Sequence, residues 1–193
     1  MGKEFELKYK ASPEILEKIR QEYGEGFETL SMASRYYDTP DRALSVRWWT
    51  LRLRQENGTA VCGLKTPGKN MVRGEWEVRE PDLDLGLARL CAMDVPEEFP
   101  DLVKNGVEEV CAADFTRLAK ALTWGSSLLE LALDEGDFLG RHTRRHFAEV
   151  EVELKSGSRR DCEAFGAALV EKYGLETETV SKFQRAFALA EED

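Results

Sequence analysis

Two segments far apart in the chain carry the same device. Glu4-Phe5-Glu6-Leu7-Lys8 stands at one end, and Glu149-Val150-Glu151-Val152-Glu153-Leu154-Lys155 repeats it near the other. In an extended strand, alternate side chains share a face. Each segment therefore turns carboxylates and a closing lysine to one side. Phe5, Leu7, Val150, Val152 and Leu154 go to the other side. Carboxylates in a row repel one another, so the row is built for water or for a hard cation. An all-oxygen cluster of this kind suits Mg²⁺ or Mn²⁺.

Two further segments use the same alternation, with arginines at 52 and 54 and Arg73, Glu75 and Glu77 on one face. In all four segments the opposite face is apolar and needs covering, most simply by helices. That turns the charged faces inward. A lumen lined by Arg, Lys and Glu makes a poor core, because unpaired buried charge is costly. It makes sense if it holds a polyanion together with a divalent metal. The cations would take phosphate oxygens, and the metal would bridge ligand and carboxylates.

The rest of the chain supplies strands and a few helices. After the strand at 3–10, Ser12-Pro13 starts a helix through Ile15, Leu16, Ile19 and Tyr23, stopped by Gly24. Residues 28–38 read as a strand ending in Tyr36-Tyr37-Asp38-Thr39-Pro40. Trp49–Gln55 and Thr59–Lys65 flank a hairpin turn at Asn57-Gly58. Val72–Arg79 follows as a strand, and residues 83–105 read as short helical pieces broken by Pro96 and Pro100. Val110–Trp124 is open between helix, from its Ala, Leu and Lys content, and strand. Leu128–Leu133 and Phe147–Lys155 are strands. Arg159–Tyr173 is a helix capped by Gly174, and a last helix from about Val180 buries Phe183 and Phe187. The pattern is α+β: an antiparallel sheet able to close into a barrel.

At 193 residues, 42% apolar and 33% charged, the chain has material for one sizeable core, and residues 1–193 are expected to form one domain. No apolar run approaches a membrane span, and strand-like sequence starts at Lys3 rather than a signal peptide. The formal charge of −10 argues against nucleic acid or an anionic membrane as partner. Cys62, Cys91, Cys111 and Cys162 lack CxxC pairing and read as small buried residues of a reduced cytoplasmic protein.

These residues resemble the CYTH domain, or triphosphate tunnel metalloenzyme, family. The signature ExExK stands as Glu4, Glu6 and Lys8. Tyr36-Tyr37-Asp38-Thr39-Pro40, Leu51-Arg52-Leu53-Arg54, Leu64-Lys65, Arg73-Gly74-Glu75, Phe115-Thr116-Arg117, Leu133-Asp134-Glu135-Gly136, the strand 149–155 and Ser181-Lys182 follow in order. The resemblance is nearest to the bacterial inorganic triphosphatases. It implies an eight-stranded antiparallel β-barrel, a tunnel with helices packed outside, acting as a metal-dependent triphosphatase on a small-molecule triphosphate. Lys8, Arg52, Arg54, Lys65, Arg73, Arg117 and Lys182 would contact phosphates. Glu4, Glu6, Glu149, Glu151 and Glu153 would hold Mg²⁺ or Mn²⁺, with Asp134 as a further ligand or, alternatively, a turn residue before Gly136. Some short bacterial members carry a lysine two residues before the arginine equated with Arg117, and pair it with a tyrosine in catalysis. Phe115 stands there in this chain, so the water-activating group is left unassigned. The molecule is expected as a monomer or homodimer.

Other signals carry less. His142 and His146 sit in a polar loop reading, and no Walker A sequence is present. Trp48, Trp49, Trp76 and Trp124 read as packing residues under the helices. One of Tyr36 and Tyr37 should face the lumen, and Glu75 and Glu77 can pair with lumen arginines. Class IV adenylate cyclase, thiamine triphosphatase and a non-catalytic polyphosphate- or nucleotide-binding module are the competing functions. No sequence feature speaks for adenine.

Overall fold

The structure is a computed structural model that describes residues 2–67, 73–140 and 142–192; the side chains of Lys3, Glu4 and Arg73 lie outside the described residues. The strands are β1 (Gly2–Glu4), β2 (Glu6–Lys10), β3 (Glu28–Asp38), β4 (Thr50–Glu56), β5 (Thr59–Thr66), β6 (Arg73–Arg79), β7 (Glu108–Trp124), β8 (Ser127–Leu139), β9 (Arg144–Ser156) and the short β10 (Glu176–Thr177). The helices are α1 (Pro13–Tyr23), α2 (Leu83–Cys91), α3 (Phe99–Val103), α4 (Arg159–Tyr173) and α5 (Lys182–Glu191). Hydrogen bonding orders the sheet β1-β6-β5-β4-β3-β7-β8-β9-β2-β10, and every pairing is antiparallel.

The N-terminal run explains how this sheet becomes a tunnel. Glu4 pairs with Arg73 on β6, while Glu6 pairs with Glu153 on β9. Only Phe5 lies between. One continuous stretch thus serves both sides of the strand order, and the sheet curls around its charged face.

The outer face follows the period-two pattern. Phe5, Tyr9, Leu129, Leu131, Leu133, Val150 and Val152 pack beneath Leu16 and Ile19 of α1 and Cys162, Phe165 and Leu169 of α4. Leu51, Cys62, Leu64 and Trp76 pack against Leu90 of α2 and Phe99 of α3. The helix α5 is placed differently. Phe183, Ala186 and Leu189 meet Met32, Tyr36, Phe115, Phe138 and Phe147. These strand residues share the parity of Arg52, Arg117 and Glu151, so α5 covers part of the concave face.

Local signals set the boundaries. Ser12 caps α1 by accepting from Ile15 N at 3.4 Å, and Gly174 ends α4 in the left-handed region. Asn57 and Gly58, with φ of 48° and 84°, make the hairpin turn between β4 and β5. The ambiguous stretch 110–124 is strand: β3 and β8 bond it along both edges, which outweighs the helical propensity of its alanines and leucines. Likewise β8 runs beyond 133 to Leu139. The sequence Asp134-Glu135-Gly136 is not a turn. Gly136 is there because β7 comes too close for a side chain; a Cβ would lie 2.2 Å from Asp114 O and 2.4 Å from Phe115 Cα. Cys62, Cys111 and Cys162 are buried as expected, and burial pushes the Cys62 thiol up to about 12.

Gly136→Val should therefore force β7 and β8 apart. The expected outcome is a loss of at least about 2 kcal/mol of stability, measured by urea unfolding. A variant with an unchanged midpoint would show that the close approach is not needed.

Candidate functional site

The concave face encloses a cavity of about 940 Å³. Its lining includes Glu6, Lys8, Arg52, Arg54, Lys65, Glu75, Glu77, Arg117, Glu151, Glu153 and Lys182. The sequence-predicted residues Glu149 and Asp134 lie fully buried behind this surface, bonded to residues that line it. The side chains of Glu4 and Arg73 lie outside the described residues, although their backbones are register partners.

One wall is built by β4, β5 and β6. Arg52 and Arg54 are two residues apart on β4 and so share the inner face. Arg52 Nη2 donates to Glu77 Oε1 at 2.9 Å and lies 3.6 Å from Glu75 Oε1. Arg54 Nη2 reaches the same Glu77 oxygen at 3.4 Å and also contacts Glu56. Lys65 Nζ is 3.0 Å from Glu75 Oε1. The expected pairing of Glu75 and Glu77 with lumen arginines is thus present. Charge on this wall is nonetheless thin around Arg54. Burial, and then the neighbouring Arg52, hold its guanidinium below the usual value. Its Nε is buried with no hydrogen-bond partner.

The second wall is built by β7, β8, β9 and α5; its cations share several carboxylates, although the buried Nε of Arg185, like that of Arg54, has no hydrogen-bond partner. Arg117 grips Asp134 with two bonds of 2.7 Å and also contacts Glu151. Lys182 Nζ lies 2.7 Å from Asp134 Oδ2 and 2.8 Å from Glu151 Oε1, and touches Glu149. Arg185, one helical turn after Lys182, pairs with Glu149 and lies 3.6 Å from Glu178. Burial opposes ionisation of Glu151. Lys182 and Arg117 outweigh it, so the carboxyl sits well below the usual range. For Glu149 burial wins over Lys182, and its carboxyl is raised.

Register explains why these groups meet. Lys8 faces Glu151, Glu6 faces Glu153, and Glu153 faces Glu130 on β8. Lys8 Nζ is 3.9 Å from Glu6 Oε1, and Lys155 Nζ spans Glu130 at 3.4 Å and Glu153 at 2.8 Å. Glu130 lines the cavity but was not among the residues expected from sequence. Its signal was the alternation Leu129, Leu131, Leu133 against Glu130 and Asp134. Arg185, by contrast, is one of the basic residues that the sequence places in a patterned segment and expects to converge on an anionic ligand, and it follows Lys182 on the same face of α5.

Tyr36 is the tyrosine that faces inward; Tyr37 packs outside with Leu53 and Val78. Phe115 does line the cavity. Trp49 and Trp76 are buried packing residues, but Trp48 is not: it is 68% exposed and lines the cavity. Trp124 is partly exposed, with its ring 5.1 Å from that of Phe165. His146 lies on β9, exposed beside Asp137.

The carboxylate oxygens of Asp134, Glu149 and Glu151 lie within 4.8 Å of one another, an oxygen-only donor set of the kind a divalent cation takes. The model of the CYTH domain matches residues 2–187. The chain belongs to the CYTH domain family. It is 27% identical over 195 residues to an inorganic triphosphatase of Haemophilus influenzae, a match covering 98% of this chain and 55% of that protein. The chain thus spans about half the length of this curated relative. Among solved structures, it is similar to a protein of Pyrococcus horikoshii OT3, with a TM-score of 0.67 and 24% identity, covering 98% of this chain and 99% of that one. A Bacillus halodurans candidate adenylate cyclase gives 0.66 and 20%, covering 96% and 98%. A Hippeastrum candidate adenylyl cyclase, described as revealing a dominant triphosphatase activity, gives 0.59 and 17%, covering 96% and 95%. These structural likenesses establish the CYTH tunnel fold. No helix among the described residues is long and apolar enough to cross a membrane.

The depressed carboxyls of Glu77 and Glu151 contribute a pH effect of one sign, against the raised carboxyl of Glu149, whose contribution runs the other way. A group whose folded pKa lies below its unfolded value of about 4.3 contributes stability above that value and loses it as pH falls through the folded pKa. Stability should therefore decline below about pH 4. Glu151→Gln should lower neutral-pH stability and flatten that acid limb. Urea midpoints from pH 7 to 3 measure this, and an unaltered acid limb would contradict it.

Proposed function

We propose that this CYTH tunnel hydrolyses triphosphate substrates with a divalent cation, Mg²⁺ or Mn²⁺, and that inorganic triphosphate is its best substrate. The single observation that carries the reading is the state of Arg54. A partly buried guanidinium that keeps one N–H unmatched beside Glu77 and Glu56, and whose pKa is lowered by burial and by Arg52, can take further negative charge. A polyphosphate in the cavity supplies that charge. Guanidinium forks match phosphate oxygens in geometry as well as in sign.

In this reading Arg52, Arg54 and Lys65 take phosphate oxygens from one wall, and Lys8, Arg117 and Lys182 from the other. Arg73, whose side chain lies outside the described residues, is a further candidate phosphate contact from the sequence pattern. Glu6, Glu151 and Glu153 line the cavity and would hold the cation, and Glu4, whose side chain lies outside the described residues, is a further candidate ligand from the sequence pattern. Asp134 and Glu149 complete the oxygen cluster from behind. There they also hold Arg117, Lys182 and Arg185, so a cation reaching them must displace the Lys182 ammonium. Bound, the cation would neutralise phosphate charge and position the attacking water. The arginines and lysines stabilise the charge that shifts among the phosphate oxygens as the terminal bond breaks. Because Arg117 is already fixed by Asp134 and Glu151, it needs little reorganisation at that moment.

A bare triphosphate finds all its contacts among these groups, whereas a nucleoside must extend beyond them. A panel of inorganic triphosphate, ATP and thiamine triphosphate, followed for both phosphate and cyclic AMP, tests the reading. Inorganic triphosphate should give the highest kcat/KM, and excess EDTA should abolish turnover. Conversion of ATP mainly to cyclic AMP would replace the hydrolase reading with a cyclase.

Two variants probe the two kinds of group. Arg54→Ala should lower kcat/KM by about a hundredfold for every triphosphate. Glu6→Gln, which keeps size but removes charge, should raise the cation concentration needed for half-maximal rate with little change in thermal midpoint. A Glu6→Gln protein with unaltered cation dependence would remove Glu6 from the metal role.

A further inference from the structure

The loop between β3 and β4 presents Trp48 to the cavity mouth in a way that packing does not explain. Its neighbour Trp49 is 7% exposed and sits in the core, its ring 6.3 Å from that of Phe99. Trp48 is 68% exposed, with φ 60° and ψ 27°, a left-handed conformation unfavourable to a residue with a β-carbon. That kink at the end of the short turn Ser45–Arg47 sends two successive tryptophans to opposite destinations.

The loop is held firmly. Asp38, 1% exposed, accepts from Thr39 N at 2.7 Å, Leu44 N at 2.9 Å and Ser45 N at 3.1 Å. Thr39 Oγ1 accepts from Ala43 N at 2.8 Å, and Arg47 Nη1 donates to Ala43 O at 2.8 Å. Trp48 N and Trp49 N close the turn on Ser45 O and Leu44 O at 2.9 and 3.0 Å. A buried carboxylate thus organises a strained turn whose product is an exposed indole on the cavity wall. Val46, also 68% exposed, and Pro67 line the same cavity. An apolar rim therefore borders a chamber of arginines and carboxylates.

We propose that Trp48 is a specificity-determining residue, a preset stacking platform for the ring of a nucleoside triphosphate whose phosphates lie among Arg52, Arg54 and Lys65. The proposal rests on reading the chamber as a triphosphate site. The occupant follows from the two chemistries placed side by side: a planar heteroaromatic ring for the indole, joined to a polyanion for the cations. Inorganic triphosphate uses only the chamber. ATP uses both, so Trp48 sets how far the tunnel discriminates between them.

The test compares wild type, Trp48→Ala and Trp48→Phe on ATP and on inorganic triphosphate. Trp48→Ala should lower kcat/KM for ATP about tenfold, chiefly through KM. Inorganic triphosphate should stay within about twofold of wild type, and Trp48→Phe should recover most of the ATP rate. Loss on both substrates alike, or no change for ATP, overturns the proposal. Calorimetric binding of ATP and inorganic triphosphate separates this from the hydrolase reading. If neither is turned over but Trp48→Ala still weakens ATP binding alone, Trp48 keeps its role and the hydrolase reading fails. If ATP binding is unchanged, the platform is refuted whatever the turnover.

Discussion

The concave face holds together because Arg52, Lys65, Arg117 and Lys182 each meet a carboxylate from another element. Charge removed from water is expensive, and only close partners recover the cost. Arg117 with Asp134, Lys182 with Glu151, Arg52 with Glu77 and Lys65 with Glu75 each join different elements of the tunnel. Everything else follows from placing those charges inside. The alternate residues become the outer apolar surface, and α1, α2, α3 and α4 are needed to cover it.

The two walls differ in how completely they are neutralised. Around Asp134 and Glu151, short bonds bind Arg117 and Lys182 from several sides, so their positions are set before any ligand arrives. Around Arg54, which also meets Glu56, the bond to Glu77 is longer and a buried Nε is bare, as is that of Arg185 on the other wall. An anion entering the cavity gains most at the second place and finds most order at the first. A cavity evenly neutralised throughout would bind a polyanion weakly, and one evenly cationic would hardly fold.

Sequence alternation revealed much of this because strand periodicity is local. Glu6, Lys8, Arg52, Arg54, Glu151 and Glu153 could be placed on one face from spacing alone, and the structure puts them around one cavity. The segment 110–124 could not be decided that way, since only its partners β3 and β8 override the propensity of its alanines. Asp134-Glu135-Gly136 misled because glycine signals both turns and close strand approach, and only the neighbouring backbone tells which. By composition Trp48 reads as a packing residue like Trp49. One left-handed residue reverses its direction, and no periodicity encodes that.

The site also draws on both ends of the tunnel's chain. Glu6 and Lys8 come from β2, Lys182 and Arg185 from α5, and they meet on β9 through Glu153, Glu151 and Glu149. Sequence separations this large delay contact formation, because loop closure is paid before the contacts reward it. Until α5 lands on Phe115, Phe138 and Phe147, the carboxylates of β8 and β9 lack Lys182 and Arg185. Three carboxylates would then face one another with Arg117 and Lys8 as the described cations nearest them. Docking of the apolar face of α5 and neutralisation of Asp134, Glu149 and Glu151 are therefore one event. The buried acids give that helix a reason to sit on the concave face, where a purely apolar core would have left it outside with the others.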